Sequence, residues 1–232
     1  DRHAVDGGAV HGRGLLALSP GYVAGLQVMV RSLLAGHQPA VLTGSFSPAA
    51  FAAVTASTHS SVGGQRAATF TSLVPAQLAD LLDAAETDAA VADALRAYEA
   101  ILVGGQALPL PQRERAARLG ARIVRTYGST ETSGGCVYDG VPLDGVGVRI
   151  VTGEVQLSGP MLADGYLGEP GRTAASFIVD DGVRWYRTGD AGEFDGHVLR
   201  VTGRIDNVII SGGVNISLDR VEAVVREHAG RS

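Results

Sequence analysis

Five short apolar runs, Leu15–Leu18, Ala40–Thr43, Ala68–Val74, Ala100–Val103 and Arg122–Thr126, alternate with segments of helical periodicity. That alternation constrains the fold most, because parallel strands need crossover connections, usually helices, where antiparallel ones accept tight hairpins. The helical segments run from Tyr22 to Leu34, from Ser47-Pro48 onward, and over Ala76–Ala85, Ala90–Tyr98 and Pro111–Leu119. In the first, Val23, Leu26, Val30, Leu33 and Leu34 recur at helical spacing, with Gly36 placed to end the helix. Ser47 suits a cap, and Pro48 the first turn, where its missing N–H costs nothing. Leu78, Leu81 and Leu82 share one face of the third helix, and residues 57–66 read as a loop. The fold class is α/β, a mostly parallel sheet covered by helices.

After Tyr138 the texture changes to short strand-like pieces punctuated by Gly and Pro: Val146–Val151, Glu154–Leu157, Val183–Tyr186 and His197–Val201. These predict a small distorted β-barrel subdomain. Beyond Arg204 a polar turn leads to the apolar run Val208–Ile210, to Gly212-Gly213, and to a final helix over Leu218–His228. The chain therefore divides into residues 1–138, 139–204 and 205–232.

Of the 232 residues, 45% are hydrophobic and 19% charged, with a net charge of −5. That balance argues against nucleic acid or an acidic membrane as partner, since both are met by clustered cations. No apolar run has the length of a membrane span, and no secretory signal opens the sequence. Cys136 is the lone cysteine, so no intrachain disulfide can form, in keeping with a cytoplasmic location. His3, His11, His37, His59, His197 and His228 fall at no zinc-ligand spacing. All 19 basic residues are arginine. The compact, movable ammonium that commonly assists chemistry at ATP is missing from this stretch.

In open parallel sheets, ligands bind beyond the carboxyl ends of the strands. Two such ends carry distinctive sequences, Ile101-Leu102-Val103-Gly104-Gly105-Gln106 and Arg125-Thr126-Tyr127-Gly128-Ser129-Thr130-Glu131-Thr132-Ser133-Gly134-Gly135. The second packs Gly, hydroxyls and one carboxylate together. Backbone N–H groups and hydroxyls can face phosphate oxygens, and Glu131 offers the hard oxygen that Mg²⁺ prefers. The same composition also suits a plain loop with Glu131 solvated.

With Trp185-Tyr186-Arg187-Thr188-Gly189-Asp190 and Thr202-Gly203-Arg204-Ile205-Asp206 downstream, the order and spacing of these segments resemble the adenylate-forming superfamily of acyl-CoA synthetases, luciferases and peptide-synthetase adenylation domains. Within it, Arg125–Gly147, Val23–Leu33 and Thr71–Leu78 look like the actinobacterial o-succinylbenzoate–CoA ligases of menaquinone synthesis. The resemblance covers nearly the whole chain. It implies an AMP-forming acid–thiol ligase using ATP, Mg²⁺ and CoA on a small carboxylic acid. A homodimer stays open.

Carried over residue by residue, Gly104, Gly105 and Gln106 would border the adenine, beside Thr126 and Gly128. Tyr127 would stack on it, Thr130 would bond the α-phosphate, and Glu131 would hold the metal. Asp190 would accept the ribose hydroxyls, and Arg204 would contact ribose and phosphate. Asp206 would be the hinge of a C-terminal lid that begins within 205–232. Gly212 and Gly213 would admit the pantetheine arm, although a hairpin turn accounts for them equally well. Tyr22, Gly25, Ser72, Ser133 and Gly134 would line the acyl pocket. Tyr22 stands where the family usually has His, so a neutral phenol replaces an imidazole.

The family's Ser/Thr/Gly-rich phosphate loop ending in Pro-Lys, and the lysine of its lid, have no counterpart in these residues. The expectation is thus a large-domain portion that turns over slowly or not at all alone. A ligase for another acyl or aryl acid, and a non-catalytic nucleotide-binding module, remain as alternatives. No Gly-x-Ser-x-Gly elbow occurs, which sets a serine hydrolase aside.

Overall fold

A computed structural model describes residues 12–58, 61–62, 65–66, 68–211, 214–218, 221 and 224–225. Its elements are β1 (Gly12–Leu16), α1 (Val23–Leu34), β2 (Ala40–Val41), α2 (Pro48–Thr58), β3 (Ser61–Val62), β4 (Gln65–Arg66), β5 (Ala68–Leu73), α3 (Pro75–Ala84), α4 (Ala89–Ala97), β6 (Ala100–Val103), α5 (Leu110–Leu119) and β7 (Ile123–Ser129). A 3-10 turn, Thr130–Thr132, then leads into β8 (Gly134–Tyr138) and β9 (Val141–Pro142). Next come β10 (Gly147–Val151), β11 (Glu154–Ser158), α6 (Pro170–Ser176), β12 (Phe177–Asp180), β13 (Val183–Phe194), β14 (Leu199–Arg204), β15 (Val208–Ser211) and β16 (Val214–Ser217). The chain forms two compact units, 1–139 and 140–232.

In the first unit the sheet order is β2-β1-β5-β6-β7-β8. The first five strands run parallel and β8 returns antiparallel to β7. The alternation of apolar runs and helices is thereby met. One face carries the main core, in which Leu15, Leu73, Ile101 and Val103 of the strands meet Phe51, Leu78, Leu81, Leu82, Val91, Leu95 and Tyr98. All three leucines expected on one face of α3 are fully buried. Ser47 Oγ accepts the Ala50 N–H at 3.2 Å, the cap expected for α2. Buried Tyr98 shares a 2.7 Å hydrogen bond with Thr55, so its hydroxyl is satisfied inside the core.

Three features differ from what the sequence pattern suggests. The buried residues of α1 are Gly25, Val28 and Ser32, while Leu26, Val30, Leu33 and Leu34 are exposed. The cause is a close approach to β1: a Cβ on Gly14 would lie 2.3 Å from Ser32 Oγ, and the Gly14 N–H donates to that oxygen at 2.9 Å. Gly25, Val28 and Ser32 therefore face inward, and the longer apolar side chains turn outward. Second, residues 57–66 are not all loop, since α2 reaches Thr58 and β3 pairs with β4. Third, β7 does not end at Thr126 but continues to Ser129, because β8 supplies an antiparallel partner for Tyr127 and Gly128.

The second unit holds an antiparallel sheet in the order β10-β11-β13-β12, with β14 also on β13. The subdomain expected as a distorted barrel takes this form, with β10 and β12 at the ends of the path. The 12-residue β13 is its spine, pairing with β11, β12 and β14 and shifting register twice. A tilted stack of Tyr166, Phe177 and Tyr186 packs against it, with centroids 5.9 and 5.2 Å apart. Strands β15 and β16 form a separate pair, Ser211 opposite Val214. Gly212 and Gly213 lie outside the described residues, as does most of the helix expected over 218–228. No helix among the described residues is long and apolar enough to cross a membrane.

Candidate active site

At the carboxyl edge of the first unit's parallel strands, two of the singled-out segments lie side by side. Gly104 follows β6 directly, and a Cβ there would sit 2.3 Å from Thr126 Oγ1 and 2.9 Å from the Thr126 carbonyl oxygen on β7. Its N–H donates to the Leu73 carbonyl at the end of β5 (3.3 Å). Gly105 has room for a side chain but adopts φ +83°, a conformation that glycine enters without penalty. Gln106 beyond it is exposed. Gln77 ties the neighbouring strand ends: Oε1 accepts the Val74 N–H (3.2 Å) and Nε2 donates to the Ala17 carbonyl (3.0 Å).

The hairpin from β7 to β8 carries the second segment. Gly128 lies so close to β8 that a Cβ would meet the Gly134 carbonyl oxygen at 2.1 Å. Buried Thr132 organises the 3-10 turn, its Oγ1 accepting the Ser129 N–H (2.8 Å) and donating to the Gly134 carbonyl (2.7 Å). This leaves Thr130 exposed and Glu131 partly so, on a turn that is itself pinned. Ser133 closes it at φ +54°.

Helix α1 reaches the same hairpin. Gln27 Nε2 donates to the Ser133 carbonyl (2.6 Å) and Arg31 Nη2 to the Tyr138 hydroxyl (2.7 Å). Gly134 has Gln27 Cγ and Val23 Cγ2 as its nearest side-chain neighbours. Gly25 is held against the Ser19 carbonyl, where a Cβ would approach to 2.3 Å. Tyr22, at the helix N-cap, is 74% exposed. Ser72 is buried within β5, one residue before the strand ends. The structure thus brings Gly104 to Thr126, Gly128 to Gly134, and α1 to Ser133 and Gly134.

In the second unit, β13 and β14 set Asp190 opposite Arg204. The guanidinium donates from Nε and Nη2 to the two Asp206 oxygens (3.0 and 3.1 Å) and from Nη1 to the Thr188 carbonyl (3.2 Å), and Nη1 lies 3.5 Å from Asp190 Oδ1. The hydrogen bonds to Asp206, then the charge of Asp190, raise the pKa of Arg204, and bonding to Arg204 holds the Asp206 carboxyl below the usual range. Gly189, at φ +70°, faces this guanidinium.

Sequence reasoning missed Gln27, Gln77, Thr132 and Glu154. Glu154 gave no signal, since it falls with Gln156 and Ser158 on the polar side of an ordinary alternation, and only the structure shows that side to be buried too. Gln27 had none, since its partner lies 106 positions away.

A parallel sheet whose neighbouring strand ends carry glycine- and hydroxyl-rich turns defines an α/β ligand-binding domain. The sequence model described as "AMP-binding enzyme" matches residues 11–167, and the chain belongs to that family. It is 41% identical over 222 residues, 94% of its length, to a Mycobacterium tuberculosis protein named "Probable 2-succinylbenzoate--CoA ligase". Over 168 residues, 69% of the chain and 35% of the relative, it is 36% identical to the 2-succinylbenzoate–CoA ligase of Escherichia coli. The o-succinylbenzoate coenzyme A synthetase of Bacillus subtilis, solved with ATP and magnesium ion, superposes with a TM-score of 0.78 at 28% identity, covering 94% of this chain and 47% of that one. The chain spans about half the length (54%) of the mycobacterial relative.

Proposed function

We propose that the polypeptide acts as an AMP-forming acid–CoA ligase in the cytoplasm, joining o-succinylbenzoate to AMP and passing the acyl group to CoA. One observation carries the reading: Gly104-Gly105 and the Tyr127–Glu131 segment occupy neighbouring strand ends, with Gly104 packed on Thr126. The mycobacterial and E. coli relatives support the choice of acid and of CoA.

In this reading Gly104, Gly105 and Gln106 border the adenine with Thr126, Tyr127 and Gly128, and Thr130 donates to the α-phosphate. Asp190 accepts both ribose hydroxyls, because a carboxylate offers acceptors and no competing donor. Arg204 contributes fixed positive charge to ribose and phosphate, and Asp206 serves as the hinge. Tyr22, Gly25, Ser72, Ser133 and Gly134 line the acid's pocket. Gly212 and Gly213 admit the pantetheine arm of CoA.

Magnesium fits the donor set. Among the described residues no group of three or more His, Cys, Asp or Glu is assembled to hold a metal. Mg²⁺ instead takes one or two carboxylates with substrate phosphates and water, which a single partly exposed Glu131 on a pinned turn can serve. When bound it neutralises phosphate charge. The protein's share is orientation: Thr132 holds the turn, so Glu131 and Thr130 do not have to be ordered when the nucleotide arrives.

The test is pyrophosphate release from ATP by the polypeptide in its full reading frame, with Mg²⁺, CoA and o-succinylbenzoate or a panel of aryl and fatty acids. Release that depends on o-succinylbenzoate is the expected result. Preference for another acid overturns the substrate, and no acid-dependent release overturns the ligase.

A further inference from the structure

Glu154 shares with Gln156 and Ser158 the polar side of the alternating strand β11, yet that side is buried. It opens β11, all five of whose residues are buried, and is itself 7% exposed. Its Oε1 accepts the Gly189 N–H at 3.1 Å; its Oε2 accepts Arg187 Nε at 3.0 Å and Gln156 Nε2 at 3.4 Å. Arg187 is half exposed, so solvent screens its charge, and a buried carboxylate set against a screened partner gives stability alone little reason for this arrangement. The reason lies in what the carboxylate grips.

Between the pairs Glu154↔Ala191 and Gln156↔Arg187, the single residue Val155 of β11 stands opposite three residues of β13, Thr188, Gly189 and Asp190. Such bulges re-aim side chains beside active sites. This one is held from beneath at three points. Glu154 takes the N–H of left-handed Gly189, Thr188 Oγ1 donates to the Val155 carbonyl (2.7 Å), and the same oxygen accepts the Asp190 N–H (3.0 Å). From the other side, Arg204 lies against Gly189 and 3.5 Å from Asp190 Oδ1.

We infer that Glu154 and Thr188 form a bracket that positions the Asp190 carboxylate for the nucleotide's ribose hydroxyls. They are positioning residues that act through Asp190 and do not touch the ligand. The inference rests on the ribose role given to Asp190 above.

Its test compares AMP with 2′,3′-dideoxy-AMP by calorimetric titration of the full polypeptide, as wild type, Glu154→Gln and Thr188→Val, with thermal melts in parallel. Glutamine keeps the acceptor for Gly189 but sets an amide N–H₂ against the Arg187 donor, and valine keeps the shape of Thr188 without its oxygen. Both variants should weaken AMP about tenfold or more. Dideoxy-AMP should change by less than about twofold, because without ribose hydroxyls there is nothing for Asp190 to engage. An equal loss for both nucleotides, or unchanged AMP binding, would overturn the bracket. If Glu154→Gln melts below the assay temperature, the Thr188→Val comparison decides. Wild type that binds both nucleotides equally would remove the ribose role of Asp190 itself, and this inference with it.

Discussion

Gln27 of α1 donates from Nε2 to the carbonyl oxygen of Ser133, 106 residues away, at 2.6 Å. The bond fastens a helix to the residue that closes the Thr130–Thr132 turn, and that residue sits at φ +54°, where a non-glycine needs support. Gln27→Leu, close to isosteric, should cost about 1 kcal/mol. A thermal melt should register it as a fall of roughly 2–4 °C. Gln27→Glu places an acceptor against the carbonyl and should cost at least as much. A glutamate variant as stable as wild type would mean that the bond contributes nothing.

Two glycines of the candidate site are required for different reasons, which substitution should separate. At Gly128 a methyl would meet the Gly134 carbonyl oxygen at 2.1 Å, so β7 and β8 must part to admit it. Gly128→Ala should cost ~3 kcal/mol or more. At Gly105 the nearest atom to a new Cβ is Val74 Cγ1 at 3.8 Å, and the penalty comes from φ +83° alone. Gly105→Ala should cost about 1–2 kcal/mol. Urea midpoints that rank the two in the opposite order would contradict this account.

The sheet of the first unit was legible because its signals are local. A run such as Ala100–Val103, buried at every residue, reads as a strand wherever it pairs. The outward face of α1 was not legible. Leu26, Val30 and Leu33 have the spacing of a core face, and only the close fit of Gly14 to Ser32 decides that Gly25, Val28 and Ser32 go inward. The full length of β7 was hidden for a related reason, since Tyr127–Ser129 are strand only in the presence of β8. In the site, glycines and hydroxyls advertised themselves, while Thr132, Gln27 and Glu154 matter through contacts that no sequence pattern displays.

Cys136 gives a pH-dependent readout of the hairpin. Burial pushes its thiol up to about 11, partly offset by a hydrogen bond with Thr132. The unfolded thiol ionises near pH 9 while the folded one stays protonated, so the folded state holds the extra proton between those values. Stability from this group should be fully present below about pH 9 and decline by up to about 1.4 kcal/mol per pH unit as pH rises toward 11. Cys136→Ser should lose most of that slope in urea titrations at stepped pH. Native Cys136 should also resist alkylation at pH 8, and rapid labelling there without unfolding would refute the assigned burial.

Arg204 uses the geometry of its guanidinium, and lysine cannot copy it. The two Asp206 oxygens are met by two different nitrogens, at 3.0 and 3.1 Å, while a third nitrogen donates to the Thr188 carbonyl and lies 3.5 Å from Asp190. A point-charge ammonium can face one of these groups at a time. Because Arg204 is half exposed and Asp206 more so, solvent screens the pair and Arg204→Lys should leave the melting temperature almost unchanged. Asp190 would nevertheless lose its fixed neighbour, and AMP should bind about tenfold more weakly. The depressed pKa of Asp206 sets the sign of the pH effect: the pair is intact at neutral pH and is lost as acid protonates Asp206, below the usual carboxylate range. Calorimetric titration of AMP against wild type and Arg204→Lys measures the difference. Equal affinities would show that charge alone suffices at this position.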